Sequence, residues 1–141
     1  MGKEINLLEF YPVSNRPIDE RGDQVTETDR AIARKFDVEY FDGDRLTGYG
    51  GYSYHPRFWT ETVKYIADFY KLDSNSKILD IGCAKGFMLY DLKKEIPGIR
   101  VRGVDISKYA IKNAKREIKK YLKVANAKKL PFPNKSFDIV I

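Results

Sequence analysis

The sequence has one cysteine, one histidine and no long hydrophobic run. Cys83 and His55 are the single representatives of their types in 141 residues. One thiol excludes an internal disulfide, and a zinc site built from thiolates and imidazoles lacks ligands. No run of 18 apolar residues and no charged-then-apolar leader is present, so we expect neither a membrane span nor a secretory signal. A cytoplasmic protein without a metal fits these absences.

Acidic side chains are scarce in the second half of the chain. Residues 1–60 carry 11 acidic and 8 basic side chains, a net of −3, whereas residues 61–141 carry 9 acidic and 18 basic, a net of +9. Many of the lysines between 108 and 119 recur at helical spacing opposite apolar residues, as on the solvated side of an amphipathic helix. We prefer that interpretation and expect no nucleic-acid partner, although an RNA-binding face stays open as an alternative.

Periodic patterns divide the chain into three parts. Residues 1–25 contain two prolines and little periodicity, which predicts an extended arm. Residues 26–74 predict a helical and aromatic segment: one helix from Thr26 or Thr28 to about Phe41, a glycine-rich loop, and a second helix that begins at Pro56. Residues 75–141 alternate short apolar strands with helices.

The alternation in residues 75–141 predicts the fold class. Strands are expected at 78–81, 101–104, 122–125 and 137–141, with helices at 87–96 and 107–120. This order requires right-handed crossovers and a parallel sheet covered on both faces. We therefore predict an α/β, Rossmann-like doubly wound sheet preceded by a helical N-terminal lid segment. Because the chain stops in what should be a central strand, we expect a fragment of a longer protein, whose exposed fourth-strand edge favours self-association.

A loop of small residues follows the first predicted strand. In such sheets ligands bind beyond the carboxyl ends of the strands, and this loop, residues 82–86, faces that crevice. A dinucleotide fingerprint needs a small residue where this chain has Phe87, and a phosphate-binding loop needs a Gly-Lys-Ser/Thr ending that is absent. A nicotinamide dehydrogenase is therefore a distant alternative.

Polar residues at the strand ends describe a different ligand. Asp80, two residues before the loop, suits a positively charged group. Asp105 ends the second strand, where a carboxylate can accept hydrogen bonds from ribose hydroxyls. Ile106 offers an apolar face for a base, and Asn126 with the Ala127 amide can accept from and donate to the edge of the base. Together these groups describe an adenosine that carries a cationic amino-acid tail.

Three stretches resemble successive motifs of class I S-adenosylmethionine-dependent methyltransferases. They are ILDIGCAKG, GVDIS and NAKKLPFPNKSFDIVI, and the resemblance covers roughly residues 75–141. The last stretch especially resembles the small-molecule branch of the family. The resemblance implies S-adenosylmethionine as cofactor and methyl transfer to a small-molecule acceptor. It also implies a cofactor site formed by Asp80, Gly82, Cys83, Ala84, Gly86, Asp105, Ile106, Asn126 and Ala127.

The chain departs from the family pattern at two positions. Ala84 stands where a glycine is frequent, a mild change provided that this residue does not need positive φ. Asn126 stands where the family usually has aspartate, and its amide oxygen can still accept from the adenine amine. The acceptor-side groups of the family lie largely beyond Ile141, so no catalytic residue is predicted. An RNA methyltransferase and a non-catalytic cofactor-binding module stay open as alternatives.

Aromatic residues are concentrated just before the sheet. Between Phe36 and Trp59, eight of 24 residues are aromatic, several of them beside glycines. This composition suggests a lid, and the resemblance implies that such a lid closes over the cofactor, with Tyr52 facing the sulfonium and Arg57 paired with the methionine carboxylate. Packing of the N-terminal helices onto the sheet explains the aromatics equally well. His55 is a conceivable base on such a lid, although a surface or capping role is preferred.

Overall fold

The structure, a computed structural model, describes residues 2–13 and 17–141, and its elements follow the alternation expected from the sequence. The helices are α1 Ile18–Gln24, α2 Glu27–Ala33, α3 Val38–Phe41, α4 Pro56–Tyr70, α5 Phe87–Glu95, α6 Lys108–Lys112 and α7 Arg116–Lys119. The strands are β1 Lys77–Ile81, β2 Arg100–Asp105, β3 Leu122–Val124 and β4 Ile139–Val140.

The four strands form one parallel sheet in the order β3-β2-β1-β4. Ile78 of β1 is in register with Val101 of β2 on one side and with Ile139 of β4 on the other. Ile78 and its neighbour Leu79 are both fully buried, as a strand covered on both faces requires. The predicted Rossmann-like α/β sheet is confirmed. Its topology places the carboxyl ends of β1, β2 and β3 side by side.

The core lies between the sheet and the pair of helices α4 and α5. Val63 and Ile66 of α4 share one buried cluster with Leu89 of α5 and with Ile78 and Val101 of the sheet. The α4 helix begins at Pro56, as predicted, because proline fits the first turn of a helix. Since α5 begins directly after the loop at 82–86, its packing fixes the position of that loop.

Two predicted helices are each broken into two. The helix expected from Thr26 to Phe41 is α2 followed by α3: Thr26 caps α2 in a capping box, but Phe36 has φ +50° and Asp37 caps a new helix. The helix expected from Ser107 to Lys120 is α6 followed by α7. Here the chain leaves helical geometry at Asn113, whose side chain donates to the Tyr109 carbonyl oxygen (2.8 Å).

The prediction of an extended arm at 1–25 is wrong for residues 18–24, which form the exposed helix α1. Residues 2–13 pack onto the body of the protein. Leu7 joins the main core, and the ring of Tyr11 meets that of Trp59 edge to face at 4.9 Å. Apolar and aromatic contacts therefore hold this segment against α4. Met1 and residues 14–16 of the arm lie outside the described residues.

β4 lies at the edge of the sheet. It pairs with β1, and Val140 is 56% exposed. Self-association through this edge stays a prediction. Among the described residues, every helix is too short or too polar to cross a lipid bilayer.

Candidate functional site

The loop after β1 turns sharply with three residues in the left-handed region. Gly82, Ala84 and Gly86 have φ values of +86°, +48° and +76°. The amides of Gly82 and Cys83 both donate to the Val104 carbonyl oxygen, at 2.8 and 3.0 Å. The loop is thereby fastened to the end of β2, so that its backbone, rather than its side chains, lines the neighbouring space.

The two glycines of this loop serve different purposes. A Cβ atom at Gly82 would meet no atom within 4 Å, so this residue borders open space that a ligand can enter. A Cβ atom at Gly86 would come within 2.7 Å of the Leu122 side chain and 3.0 Å of the Ile118 side chain. Gly86 is therefore required for close packing of α5 against β3 and α7. Gly86 does not line the crevice at the strand ends, and its role beside a cofactor stays a prediction.

Ala84 occupies a conformation that ordinarily favours glycine. The sequence-based expectation that alanine is a mild change required a negative φ, and the observed value of +48° does not meet that condition. A left-handed conformation costs an L-residue about 1–2 kcal/mol. The Ala84 side chain is buried against Phe41 and Ala110, and its amide donates to Asp105 Oδ2 at 2.8 Å. These contacts hold the residue in its strained conformation.

Asp105 joins the glycine loop to the start of α6. Its Oδ2 accepts from the Ala84 amide and its Oδ1 accepts from the Ser107 amide, both at 2.8 Å. Asp105 thus has the turn-forming role that aspartate often takes. Each carboxylate oxygen has a second lone pair, so the group can still accept hydrogen bonds from two neighbouring hydroxyls.

A crevice of about 420 Å³ runs along the carboxyl ends of β1, β2 and β3. It brings together six of the predicted site residues, namely Gly82, Ala84, Asp105, Ile106, Asn126 and Ala127. Aromatic residues from the segment before the sheet line its other side: Phe36, Tyr40, Phe41 and Tyr49. Ile106 is 56% exposed, an apolar side chain left uncovered at the rim. Asn126 Oδ1 already accepts from the Lys128 amide (2.9 Å), which leaves one lone pair.

Asp80 lies in a second cavity of about 300 Å³ that shares Ile81 and Gly82 with the crevice. The residue is 9% exposed, and among the described residues no group donates a hydrogen bond to its carboxylate. Burial, together with the charge of Asp105, raises the pKa of Asp80 to about 7. Buried carboxylates are ordinarily satisfied by the protein. Among the described residues no buried side-chain oxygen lacks a partner, so the Asp80 carboxylate opens into its cavity, where water or a cationic ligand group can reach it.

Cys83 is placed in the site by its backbone rather than by its thiol. Its sulfur faces Gly103, where an added Cβ atom would lie 2.8 Å away, and the residue is 5% exposed. Burial, with the charges of Asp80 and Asp105, raises the pKa of the thiol. The side chain is a small packed group.

A third cavity, of about 570 Å³, contains Tyr52 and Arg57 together with His55. The Tyr52 ring stacks on Phe87 at 5.0 Å, and the Arg57 guanidinium lies 4.6 Å from the centre of the Phe58 ring. Neither residue lines the crevice beside Asp105. The cavity shares Tyr49 with the crevice, and it shares Tyr52, Trp59 and Phe87 with the Asp80 cavity, so the three spaces adjoin.

His55 has the capping role that was preferred for it. It is the N-cap of α4, and its Nδ1 accepts from the Arg57 amide at 3.2 Å. In the neutral ring the proton then resides on Nε2, which can donate.

A contact that no sequence pattern indicated fastens the aromatic segment to the glycine loop. Lys85, 7% exposed, donates from Nζ to Asp42 Oδ2 (2.6 Å) and to the Tyr52 carbonyl oxygen (2.7 Å). Asp42 also accepts from the Tyr109 hydroxyl (2.7 Å) and the Tyr52 amide (2.8 Å). Burial raises the pKa of Asp42, but the bonds from Lys85, Tyr109 and Tyr52 outweigh burial and the net pKa lies below its ordinary value. We call this set of residues the Asp42–Lys85 clasp.

Lys115 departs from the solvated lysine face expected for 108–119. Its Nζ lies 4.5 Å from the centre of the Tyr54 ring and 4.4 Å from that of Tyr90. Tyr54 in turn donates to the buried Asp91 at 2.6 Å. A cation over two rings stabilises the packing of Lys115 against Tyr54 and against Tyr90 of α5.

Comparisons with known proteins agree with this architecture. Residues 79–141 match a family described as "Methyltransferase domain". A solved geranyl diphosphate methyltransferase, in complex with GPP and sinefungin, has 18% identity and a TM-score of 0.51, with 76% of this chain and 52% of that chain covered. At that identity the likeness concerns the fold alone.

Curated relatives match only part of the chain. An uncharacterized protein of Methanocaldococcus jannaschii is 45% identical over 64 residues, which are 45% of this chain and 23% of that protein. The mitochondrial arginine-hydroxylase NDUFAF5 of Rattus norvegicus is 38% identical over 64 residues, 45% of this chain and 18% of that protein. The chain thus spans between 18% and 29% of the length of the curated relatives that it matches.

Proposed function

We propose that the protein is a class I S-adenosylmethionine-dependent methyltransferase, which binds S-adenosylmethionine and transfers its methyl group to a small-molecule acceptor; the match of residues 79–141 to a methyltransferase domain supports this. The observation that carries the proposal is Asp80: a buried carboxylate without a hydrogen-bond donor among the described residues, beside the open backbone of Gly82. A ligand that brings an ammonium group to this point would satisfy the carboxylate.

The residues present fit such a cofactor along its whole length. The amino group of its methionine tail would lie at Asp80 and Gly82, and its ribose hydroxyls would bind the free lone pairs of Asp105. The adenine would lie against Ile106, with Asn126 and the Ala127 amide at its edge. The crevice volume of about 420 Å³ is within the range of small-molecule sites.

The aromatic segment would complete the site from the other side. Tyr52 lines both the Asp80 cavity and the cavity of about 570 Å³, so we place it beside the sulfonium. Arg57 lines the second of these, where it can pair with the methionine carboxylate. Tyr52→Ala and Arg57→Ala are each expected to weaken cofactor binding, and unchanged affinities in titration calorimetry would remove them from the site.

The protein's own task is alignment and exclusion of water. When bound, the cofactor supplies a methyl group made electrophilic by its sulfonium, and a lone pair of the acceptor displaces the neutral thioether. Positioning of this kind provides several kcal/mol of rate enhancement without a catalytic side chain. In this chain the clasp between Asp42 and Lys85 holds the Tyr52 backbone at the loop, beside the space in which transfer would occur.

Two measurements test the proposal. Thermal unfolding should shift upward with S-adenosylmethionine or S-adenosylhomocysteine and stay unchanged with NAD. Labelled methyl transfer to a metabolite extract, performed with the full-length protein, then tests the reaction. Transfer to RNA with a steep salt dependence would favour the RNA alternative. Cofactor binding without transfer to any extract would favour a non-catalytic module.

A further inference from the structure

The cavity of about 570 Å³ that contains Arg57 carries positive charge without an acidic counterpart. Arg45 and Arg57 both line it, and none of its described lining residues is an aspartate or glutamate. Among the described residues, neither guanidinium has an ion-pair partner. Ser53 and His55 add further hydrogen-bond donors to the lining.

The rest of the lining is aromatic. Tyr11, Phe58, Trp59 and Phe87 contribute rings, and Tyr49 and Tyr52 separate this cavity from the crevice and the Asp80 cavity. Rings of this kind bind flat apolar bodies, and arginine binds carboxylates and phosphates through paired N–H groups. The cavity therefore offers both an apolar wall and an anion site.

The proposed cofactor does not use all of this charge. Its amino-acid tail brings one ammonium group, matched by Asp80, and one carboxylate, matched by Arg57. Arg45 is left without a ligand group. It lies in the aromatic segment, with its side chain against Gly50, where an added Cβ atom would approach the Arg45 Cγ to 2.2 Å. This contact keeps the base of the Arg45 side chain against the loop.

We propose that this cavity is the acceptor site and that it takes a small molecule with a flat apolar body and a carboxylate or phosphate group bound by Arg45. The inference rests on the proposed function, because the acceptor has to lie next to the cofactor's sulfonium, which we place beside Tyr52, a residue that lines both this cavity and the Asp80 cavity. The inference specifies the charge and the shape of the acceptor, neither of which the family match indicates.

Trp59 makes the proposal measurable without a known acceptor. It is the only tryptophan of the chain and lines the cavity, so a nitroaromatic ligand bound there quenches its fluorescence. The probes are 4-nitrobenzoate and 4-nitrophenyl phosphate, with the uncharged 4-nitrobenzamide as their matched control. Titrations are made with and without saturating S-adenosylhomocysteine.

We expect at least one anionic probe to bind at least tenfold more tightly than the amide in the wild-type protein. Arg45→Gln should reduce this preference to threefold or less while the affinity for S-adenosylhomocysteine stays unchanged. Arg102→Gln, which removes the same charge from an exposed position in β2, should leave the preference intact. The anionic probe that binds more tightly indicates whether the acceptor carries a carboxylate or a phosphate.

With S-adenosylhomocysteine bound, so that its carboxylate occupies Arg57, equal binding of all three probes, or an anion preference that survives Arg45→Gln, would overturn the acceptor assignment. Failure of S-adenosylhomocysteine to bind at all would instead refute the proposed function. The probe titrations made without the cofactor keep these two outcomes apart.

Discussion

Replacement of Asp80 by asparagine should stabilise the cofactor-free protein at alkaline pH. Burial raises the pKa of Asp80 from an ordinary 3.8 to about 7, so the native state binds more protons than the unfolded state between these two pH values. Stability is therefore lost as the pH rises through this window and stays level above it. Each unit by which the pKa of Asp80 in the native state exceeds its pKa in the unfolded state corresponds to about 1.36 kcal/mol. Ionised Asp80 therefore destabilises the native state by roughly 4 kcal/mol well above pH 7.

The assay is urea unfolding of both proteins at pH 4.5 and pH 8. The free energy of unfolding of the wild type should fall by about 3 kcal/mol more than that of Asp80→Asn between the two pH values, since part of the cost is already present at pH 4.5. Asp68→Asn, at an exposed position of α4, is the matched control and should follow the wild type. Parallel pH profiles for wild type and Asp80→Asn would refute the reasoning.

The affinity for the cofactor should rise as the pH rises toward 7, whereas the stability of the cofactor-free protein falls. An ammonium group beside Asp80 requires the ionised carboxylate, so binding below pH 7 has to release a proton. The affinity of the wild type for S-adenosylhomocysteine should fall by up to about tenfold per pH unit below pH 7. Asp80→Asn should bind weakly and without this dependence. Calorimetry in buffers of different ionisation enthalpy detects the released proton directly.

Two further predictions concern the glycine loop and its attachment. Ala84→Gly should change the free energy of unfolding by less than about 1 kcal/mol, because relief of left-handed strain offsets the lost methyl contacts and the added freedom of the unfolded chain. Ala84→Val should lower the free energy of unfolding by at least about 2 kcal/mol. Equal effects of the two substitutions in urea unfolding would contradict this prediction. Lys85→Met and Asp42→Asn should show a coupling of about 1–2 kcal/mol in a double-mutant cycle, and each should speed tryptic cleavage at Arg45; additive effects with unchanged cleavage would argue against the clasp.

Patterns in the sequence predicted the strands, because these depend on residues that are close together in the chain, and the alternation of strands with helices predicted the parallel sheet. The runs at 78–81 and 101–104 are β1 and β2, and their buried apolar residues are the signal that predicted them, although Arg102 of β2 is exposed. The same topology brought Asp105 and Asn126 to one crevice from strand ends that are 21 positions apart. Parallel strands joined by helices leave their carboxyl ends at one edge, so this juxtaposition follows from element order alone.

The breaks and the clasp did not follow from such patterns. Apolar periodicity continues across Phe36, but that residue takes a left-handed conformation and Asp37 begins a new helix. Asp37, a residue type that often caps helices, was a sequence signal for a new helix, but the apolar periodicity favoured one continuous helix. Asp42 and Lys85 lie 43 positions apart, and their pairing depends on how the aromatic segment folds back onto the loop. No spacing rule encodes that contact.

The central claim is that the crevice at the ends of β1, β2 and β3 binds a sulfonium nucleoside, and a crystal structure of the protein with S-adenosylhomocysteine tests it most directly. The account predicts the ribose hydroxyls at Asp105, the adenine against Ile106 and the amino group within hydrogen-bonding distance of Asp80. Nucleoside density elsewhere on the protein, or an empty crevice at saturating ligand, would contradict it.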